Sequence, residues 1–147
     1  MEKSALVPYS AQDMYDLVCD IESYPRFLPW CTRASVDERM QDGVTATIQL
    51  SKNGIQQSFT THNSLEIGRS IVMNLVRGPF KHLQGIWRFD PLQADGCKVS
   101  LKLTFEFSNL AVKLALGRVF GQITDSLVDA FCQEARNRYG ERQPSSS

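Results

Sequence analysis

The sequence of 147 residues predicts an α+β fold in which a curved antiparallel sheet of about seven strands wraps around one long C-terminal helix. Two observations predict this fold. Most of the chain between residues 34 and 107 alternates apolar and polar residues with a period of two, which is typical of half-buried antiparallel strands. Hydrophobic residues then recur at helical spacing from Val112 to about Tyr139. A sheet with one apolar face needs a cover, and this helix is the only predicted element large enough to provide it.

Two short helices are expected between the first strand and the rest of the sheet. Residues 3–9 are expected to form that strand, which ends at Pro8-Tyr9. Ser10 is a suitable N-cap for the first helix, with Asp13 at the capping-box distance. A second helical turn is expected from about Ile21 to Phe27.

Turn residues separate the strands that follow. Asn53-Gly54 is a strong signal for a two-residue hairpin, and Asp95-Gly96 predicts another. Gly68-Arg69 and Gly78-Pro79 mark the remaining breaks. We therefore expect about six antiparallel strands after the short helices.

The C-terminal helix is expected to begin after Asn109 as its N-cap and to end at Gly140. Residues 140–147 are polar and carry Pro144 and three serines, which predicts a disordered tail. The sequence contains no internal repeat and no linker, so residues 1–139 are expected to form one domain.

The segment Tyr24-Pro25-Arg26-Phe27-Leu28-Pro29-Trp30-Cys31 concentrates large apolar side chains on a stiff kink, because each proline fixes φ and disfavours helix before it. Such a kink can plug a core, or it can form the wall or lid of an apolar cavity. Composition alone favours the plug, and the place of the kink at the open edge of the predicted sheet keeps the lid as the alternative. Tyr24 and Trp30 would suit the mouth of a cavity, because each has an apolar ring and a polar tip.

Composition and charge argue against several classes of function, although a local basic patch stays compatible with them. The formal net charge is zero, so the chain as a whole has no electrostatic footprint for nucleic acid. The cysteines stand apart and are expected to be free thiols of a reducing compartment: Cys19, Cys31, Cys97 and Cys132. With neither a signal-peptide pattern nor an apolar run of about 20 residues, we expect a cytoplasmic protein.

The sequence also gives no pattern of catalytic residues. His62 and His82 are isolated, and no nucleophile elbow, phosphate-binding loop or dinucleotide fingerprint occurs. Glu106 alternates with Phe105 and Phe107 and should therefore face away from the core, while Asp129 is expected on the helix surface. We predict no enzyme, no catalytic residue, no metal site and no cofactor.

A strongly curved sheet around a single helix is expected to leave an apolar cavity between them, so the same residues can serve as core and as cavity lining. The residues expected to bind a ligand there come from the kink, the central strands and the helix: Tyr24, Phe27, Leu28, Trp30, Phe59, Leu75, Trp87, Phe105, Phe107, Leu116, Phe120, Ile123 and Leu127.

The order of elements resembles the helix-grip fold of START-like domains, and several blocks of sequence extend this resemblance. They are the proline-aromatic segment, Gly78-Pro79-Phe80-Lys81-His82-Leu83, Gly85-Ile86-Trp87-Arg88-Phe89 with Pro91-Leu92, Phe105-Glu106-Phe107, and Val128-Asp129-Ala130-Phe131. Over residues 1–139 the chain resembles the coenzyme Q-binding START-domain family, which includes bacterial ribosome association toxins.

This resemblance favours the lid over the plug for the kink, and it implies two functions. The first is binding of a polyisoprenoid quinone, or another apolar lipid, in support of respiratory electron transport, with transient peripheral contact at the inner membrane. The alternative is a toxin that binds the large ribosomal subunit and blocks subunit association. The candidate ribosome-facing residues are Arg69, Arg77, Lys81 and Arg88 on the strands, with Arg118, Arg136 and Arg138 on the helix, although solvated surface charges would give the same pattern. A polyketide cyclase is implied only by analogy across the superfamily.

Overall fold

The structure, a computed structural model, describes residues 1–140 and has the predicted order of elements. The strands are β1 (Glu2–Val7), β2 (Cys31–Met40), β3 (Gly43–Lys52), β4 (Ile55–Glu66), β5 (Ser70–Arg77), β6 (Phe80–Pro91) and β7 (Cys97–Phe107). The helices are α1 (Ala11–Cys19), α2 (Tyr24–Phe27) and α3 (Leu110–Tyr139), with 3-10 turns at Ile21–Ser23 and Gln93–Asp95.

All seven strands form one antiparallel sheet in the order β1-β7-β6-β5-β4-β3-β2. α3 is 30 residues long and packs its buried side chains, among them Val119, Phe120, Ile123 and Phe131, against the apolar face of this sheet. The predicted fold class is therefore confirmed, including the two short helices after the first strand.

The alternation in β7 shows how the sequence determines which face of the sheet is covered. Val99, Leu101 and Leu103 are buried, whereas Lys98 and Lys102, which alternate with them, are exposed. Glu106 is exposed on the outer face, as predicted. The inner face is thus apolar and the outer face polar.

Helix ends follow the predicted capping chemistry. The Ser10 hydroxyl accepts a hydrogen bond from the Asp13 backbone N–H at 3.0 Å, which satisfies a free donor in the first turn of α1. Asn109 does the same for α3 by accepting from the Val112 N–H at 2.9 Å. Gly140 ends α3 with a φ of 79°, a conformation that favours glycine.

One turn and two strand ends differ from the prediction. In the β6–β7 connection, Asp95 and not Gly96 takes the positive φ of 62°, because the chain makes a 3-10 turn there in place of a two-residue hairpin turn. β1 stops at Val7 because Pro8 has no N–H to donate to a ladder. β2 begins already at Cys31, which pairs with Leu50.

Asn53 and Gly54, by contrast, both have positive φ, as the predicted hairpin turn requires. Of the predicted tail, residues 141–147 lie outside the described part of the chain.

Candidate functional site

A cavity of about 90 Å³ lies between α3 and the inner face of the sheet. Its lining comes from the kink before β2, from the central strands and from α3, and most of it is apolar. Ile48, Phe59 and Leu127 are half-buried members of the lining, so the cavity approaches the surface on the side of β3, β4 and the middle of α3.

The structure brings eight of the thirteen predicted ligand-binding residues to this cavity. They are Tyr24, Leu28, Trp30, Phe59, Trp87, Phe120, Ile123 and Leu127. The other five, Phe27, Leu75, Phe105, Phe107 and Leu116, do not border it.

These five residues belong to the surrounding core. The rings of Phe105 and Phe107 pack around Phe120 and Phe80, with centroid distances between 4.8 and 6.2 Å. Leu116 is buried and Leu75 half-buried in the same core. The period of two places such residues on the inner face, but it does not tell which of them meet a neighbour and which meet free space.

The kink fills one side of the cavity. Leu28 has no exposed surface and Trp30 keeps only 9% of its surface exposed, and both border the free space. The plug and wall interpretations therefore describe the same side chains. Tyr24 is not at a mouth, because its hydroxyl is buried and donates to the Val18 carbonyl. Burial raises the pKa of that phenol far above its usual range.

An aromatic cluster fastens the kink to α3. The Phe131 ring lies 5.3 Å from that of Tyr24, 5.4 Å from that of Phe27 and 5.3 Å from that of Trp87. The Arg138 guanidinium covers the other end of this cluster, 5.8 Å from the centre of the Phe27 ring. Contacts of this kind hold the kink closed over the cavity.

Arg138 also ties the end of α3 to the end of α1. Its guanidinium contacts the Asp20 carboxylate at 2.9 Å and the Glu134 carboxylate at 2.8 Å. Partial burial raises the pKa of Asp20, but hydrogen bonds from Ser23 and Arg138 outweigh it and hold that pKa below its usual range.

A carboxylate with a lowered pKa stabilises the fold above its unfolded pKa of about 4, and this stabilisation is lost as the pH falls through the lower folded pKa. We expect Asp20→Asn to lower the free energy of unfolding by about 1 kcal/mol or less at pH 7, since the pair is partly exposed. The difference from wild type should vanish near pH 2. Urea titrations at both pH values measure it, and an equal difference at both would contradict the role of the charge.

Three small polar residues of the lining were not among the predicted site residues: Thr61, Asn63 and Thr124. Thr61 and Asn63 lie on the inner face of β4 and are 8% and 6% exposed. The signal was present in the sequence, because Phe59 and Leu65 alternate in phase with them. The alternation was hard to recognise because the residues between these positions are polar as well.

The described residues offer little chemistry beyond this. Within residues 1–140, no three His, Cys, Asp or Glu side chains come together as a metal would require. Burial raises the pKa of the Cys31 and Cys97 thiols to about 11, which leaves them unreactive at neutral pH. His82 lies on the outer surface, 3.8 Å from the Glu106 carboxylate.

The four predicted basic residues of the strands separate into two pairs. Arg69 and Arg88 lie at one end of β5 and β6, and Arg77 and Lys81 flank the turn at the other end. Arg69 is paired with Glu66 and Lys81 with Glu106, each at 3.5 Å. The four residues therefore do not form a single basic cluster, because the length of β5 and β6 separates the Arg69–Arg88 pair from the Arg77–Lys81 pair.

No helix within residues 1–140 combines the length and the apolar character needed to cross a bilayer.

Comparison with known proteins identifies the family. The sequence model described as polyketide cyclase/dehydrase and lipid transport matches residues 7–132. The chain belongs to this family. A solved structure shows the same fold: the Zhui aromatase/cyclase of Streptomyces superposes with a TM-score of 0.84 at 18% identity, covering 95% of this chain and 94% of that one.

The sequence identity to two curated relatives is higher than to this structure. The chain is 46% identical over 142 residues to the ribosome association toxin RatA of Escherichia coli, covering 97% of this chain and 90% of the relative. It is 32% identical over 143 residues to the mitochondrial coenzyme Q-binding protein COQ10 of Drosophila melanogaster, covering 94% of this chain and 59% of that protein. The resemblance inferred from the sequence blocks is confirmed. The names of these two relatives denote a toxin and a binding protein, whereas the structural neighbour is named as an enzyme.

Proposed function

We propose that this protein binds a polyisoprenoid quinone, or a similar apolar lipid with a small polar head, in the cavity between α3 and the sheet, without transforming it chemically. The observation that carries the proposal is the cavity itself, whose lining is almost wholly apolar and, among the described residues, uncharged. Burial of an isoprenoid tail there would gain about 25 cal/mol per Å² of apolar surface removed from water. Similarity to a protein named for coenzyme Q binding supports the choice of ligand.

The cavity of about 90 Å³ is smaller than ligand pockets, which usually measure about 300–1,000 Å³. On this proposal the described state is a closed one, and uptake requires the walls of the cavity to separate. We expect the kink to move during uptake, because α2 is only one turn long. Aromatic ring contacts hold it against α3, and it is not a strand of the sheet.

Uptake of a short-chain quinone tests the proposal. A quinone with a decyl tail should quench the fluorescence of Trp30 and Trp87, because both tryptophans of the chain border the cavity. A ligand present at about 100 times its Kd should also raise the free energy of unfolding by roughly 2.7 kcal/mol. Absence of both effects, together with no quinone in a solvent extract of the purified protein, would rule the proposal out.

A quinone resides in membranes, and we infer that the first turns of α3 contact an anionic bilayer during uptake. Leu110 and Leu114 are 67% and 76% exposed although both are large and apolar. Residues 109–124 contain no acid but include Lys113 and Arg118. Exposed leucines beside cations are the features that hold a helix at a negatively charged lipid surface.

Replacement of both leucines tests this contact. We expect Leu110→Ser/Leu114→Ser to reduce flotation with vesicles of phosphatidylglycerol and phosphatidylcholine several-fold, because the apolar anchor is lost. The double variant Leu6→Ser/Ile67→Ser is the matched control, since those side chains are 72% and 76% exposed elsewhere on the surface. Equal flotation of both variants and wild type would contradict the assignment.

The second candidate function is binding to the large ribosomal subunit, with inhibition of subunit association. It is favoured by the 46% identity to a protein named ribosome association toxin. Arg77 and Lys81 at the β5–β6 turn are the surface cations we assign to this contact. A cytoplasmic location, with the inner membrane as the place of lipid exchange, accommodates both functions.

A further inference from the structure

The lining of the cavity contains one polar pair and one further buried threonine among apolar residues. The Thr61 hydroxyl donates a hydrogen bond of 2.8 Å to the Asn63 side-chain oxygen, and both residues are buried on the inner face of β4. The third buried polar side chain of the lining, Thr124, is already satisfied, because its hydroxyl donates to the Gly121 carbonyl within α3 at 3.2 Å.

The amide of Asn63 is only half satisfied by this arrangement. An Asn side chain has one acceptor oxygen and two N–H donors. The oxygen accepts from Thr61, whereas within residues 1–140 the nitrogen Nδ2 makes no hydrogen bond to protein. Among the described residues no fully buried side-chain nitrogen or oxygen lacks a partner, so the unpaired Nδ2 of Asn63 reaches free space, where an acceptor atom of a ligand can take its hydrogens.

The surroundings of Asn63 give it free space on two sides. Its neighbours in the sheet are Val44 on β3 and Met73 on β5, both apolar. Asn63 borders the main cavity and also a smaller one of about 60 Å³ beyond it, next to Ile71 and Val18. The amide therefore stands between the two cavities, next to Met73 and four residues along β4 from Phe59.

We propose that Asn63 is the polar anchor of the site: its Nδ2 donates a hydrogen bond to a carbonyl oxygen of the ligand head, and Thr61 is a positioning residue that fixes the orientation of the amide. This inference rests on the proposed function and deepens it. The head lies against β4, and the tail follows the apolar lining toward Phe59 and Leu127.

The chemistry of the pair restricts the class of ligand. A neutral donor suits a neutral oxygen acceptor, as in a quinone. A fatty acid would bring a carboxylate, which buried sites accept only with a cationic partner. No Lys, Arg or His is among the described residues of the main lining. The one cation of the smaller cavity, Arg39, is paired with Glu22 at 3.4 Å.

The test compares two probes that share a tail, a decyl-substituted benzoquinone and decylbenzene, by quenching or shift of tryptophan fluorescence. Wild type should bind the quinone at least ten times more tightly. Asn63→Leu should remove most of this preference while the affinity for decylbenzene stays equal or rises. Thr61→Val should weaken the preference in part. The matched control Thr45→Val, on the neighbouring strand β3 but outside the cavity lining, should leave it unchanged.

Infrared spectroscopy measures the hydrogen bond to the quinone carbonyl directly, and a change in protein stability alone does not shift this band. The carbonyl stretch of the quinone bound to wild type should lie below its value in hydrocarbon solvent, and Asn63→Leu should raise it toward that value. Failure of wild type to bind either probe would overturn the proposed function itself. If wild type bound both probes equally well and left the carbonyl band unshifted, only the role of Asn63 as anchor would be overturned. This outcome is measured on wild type, so it does not depend on whether Asn63→Leu folds.

Discussion

Trp30→Ala is expected to lower the free energy of unfolding by about 3–5 kcal/mol, as truncation of a buried aromatic side chain usually does. The indole is 9% exposed and borders the cavity, so its removal both forfeits buried apolar surface and enlarges the void. The backbone at this position should persist, since the Ser51 N–H donates to the Trp30 carbonyl at 2.8 Å regardless of the side chain. Urea denaturation followed by circular dichroism measures the loss.

Trp30→Phe is the control, because it keeps an apolar ring and should lose much less stability. Quinone retention, measured in the same preparations, separates the two roles of the kink. A variant that unfolds more easily but binds quinone while folded supports a plug that also forms a wall. An unchanged urea midpoint together with lost quinone retention would contradict that assignment. It would indicate that the kink is a lid that contributes little to the stability of the core.

The fold could be predicted from the sequence because its determinants are local. Alternation in β7, the Asn53-Gly54 turn and the caps at Ser10 and Asn109 each operate over a few residues, and the structure has all of them. The exception at Asp95-Gly96 is also local, since a 3-10 turn and a two-residue hairpin use similar residue types.

The site was less predictable because a cavity is a property of packing between distant elements. Phe105 and Phe120 were both expected to meet a ligand, yet their rings contact each other 4.8 Å apart and only Phe120 also borders free space. The polar anchor escaped prediction for another reason. Whether Asn63 faces inward depends on its register with Val44 and Met73, and which of its donors lacks a partner depends on Thr61.

The two candidate functions should be separable by variants that act on different parts of the molecule. Ala46 is 3% exposed and borders the cavity, so Ala46→Leu places additional carbon atoms in the free space. We expect it to reduce quinone affinity at least tenfold, at an overpacking cost of about 1–3 kcal/mol. Its outer surface is unchanged, so its effect on ribosomal subunits in a sucrose gradient should equal that of wild type.

Charge reversal at the β5–β6 turn should abolish the effect on ribosomal subunits and leave quinone binding unchanged. Arg77→Glu/Lys81→Glu removes two exposed cations and breaks the contact of Lys81 with Glu106, but it leaves the cavity lining intact. We expect overexpression of this variant to leave 70S particles unchanged while quinone binding persists. Arg69→Glu/Arg88→Glu, at the far end of the same strands, is the matched control for net charge and should act as wild type does. If Ala46→Leu lost both quinone binding and the effect on ribosomal subunits, ligand occupancy would control the ribosomal contact. If overexpression of wild type left the subunit profile unchanged, the second candidate function would be ruled out.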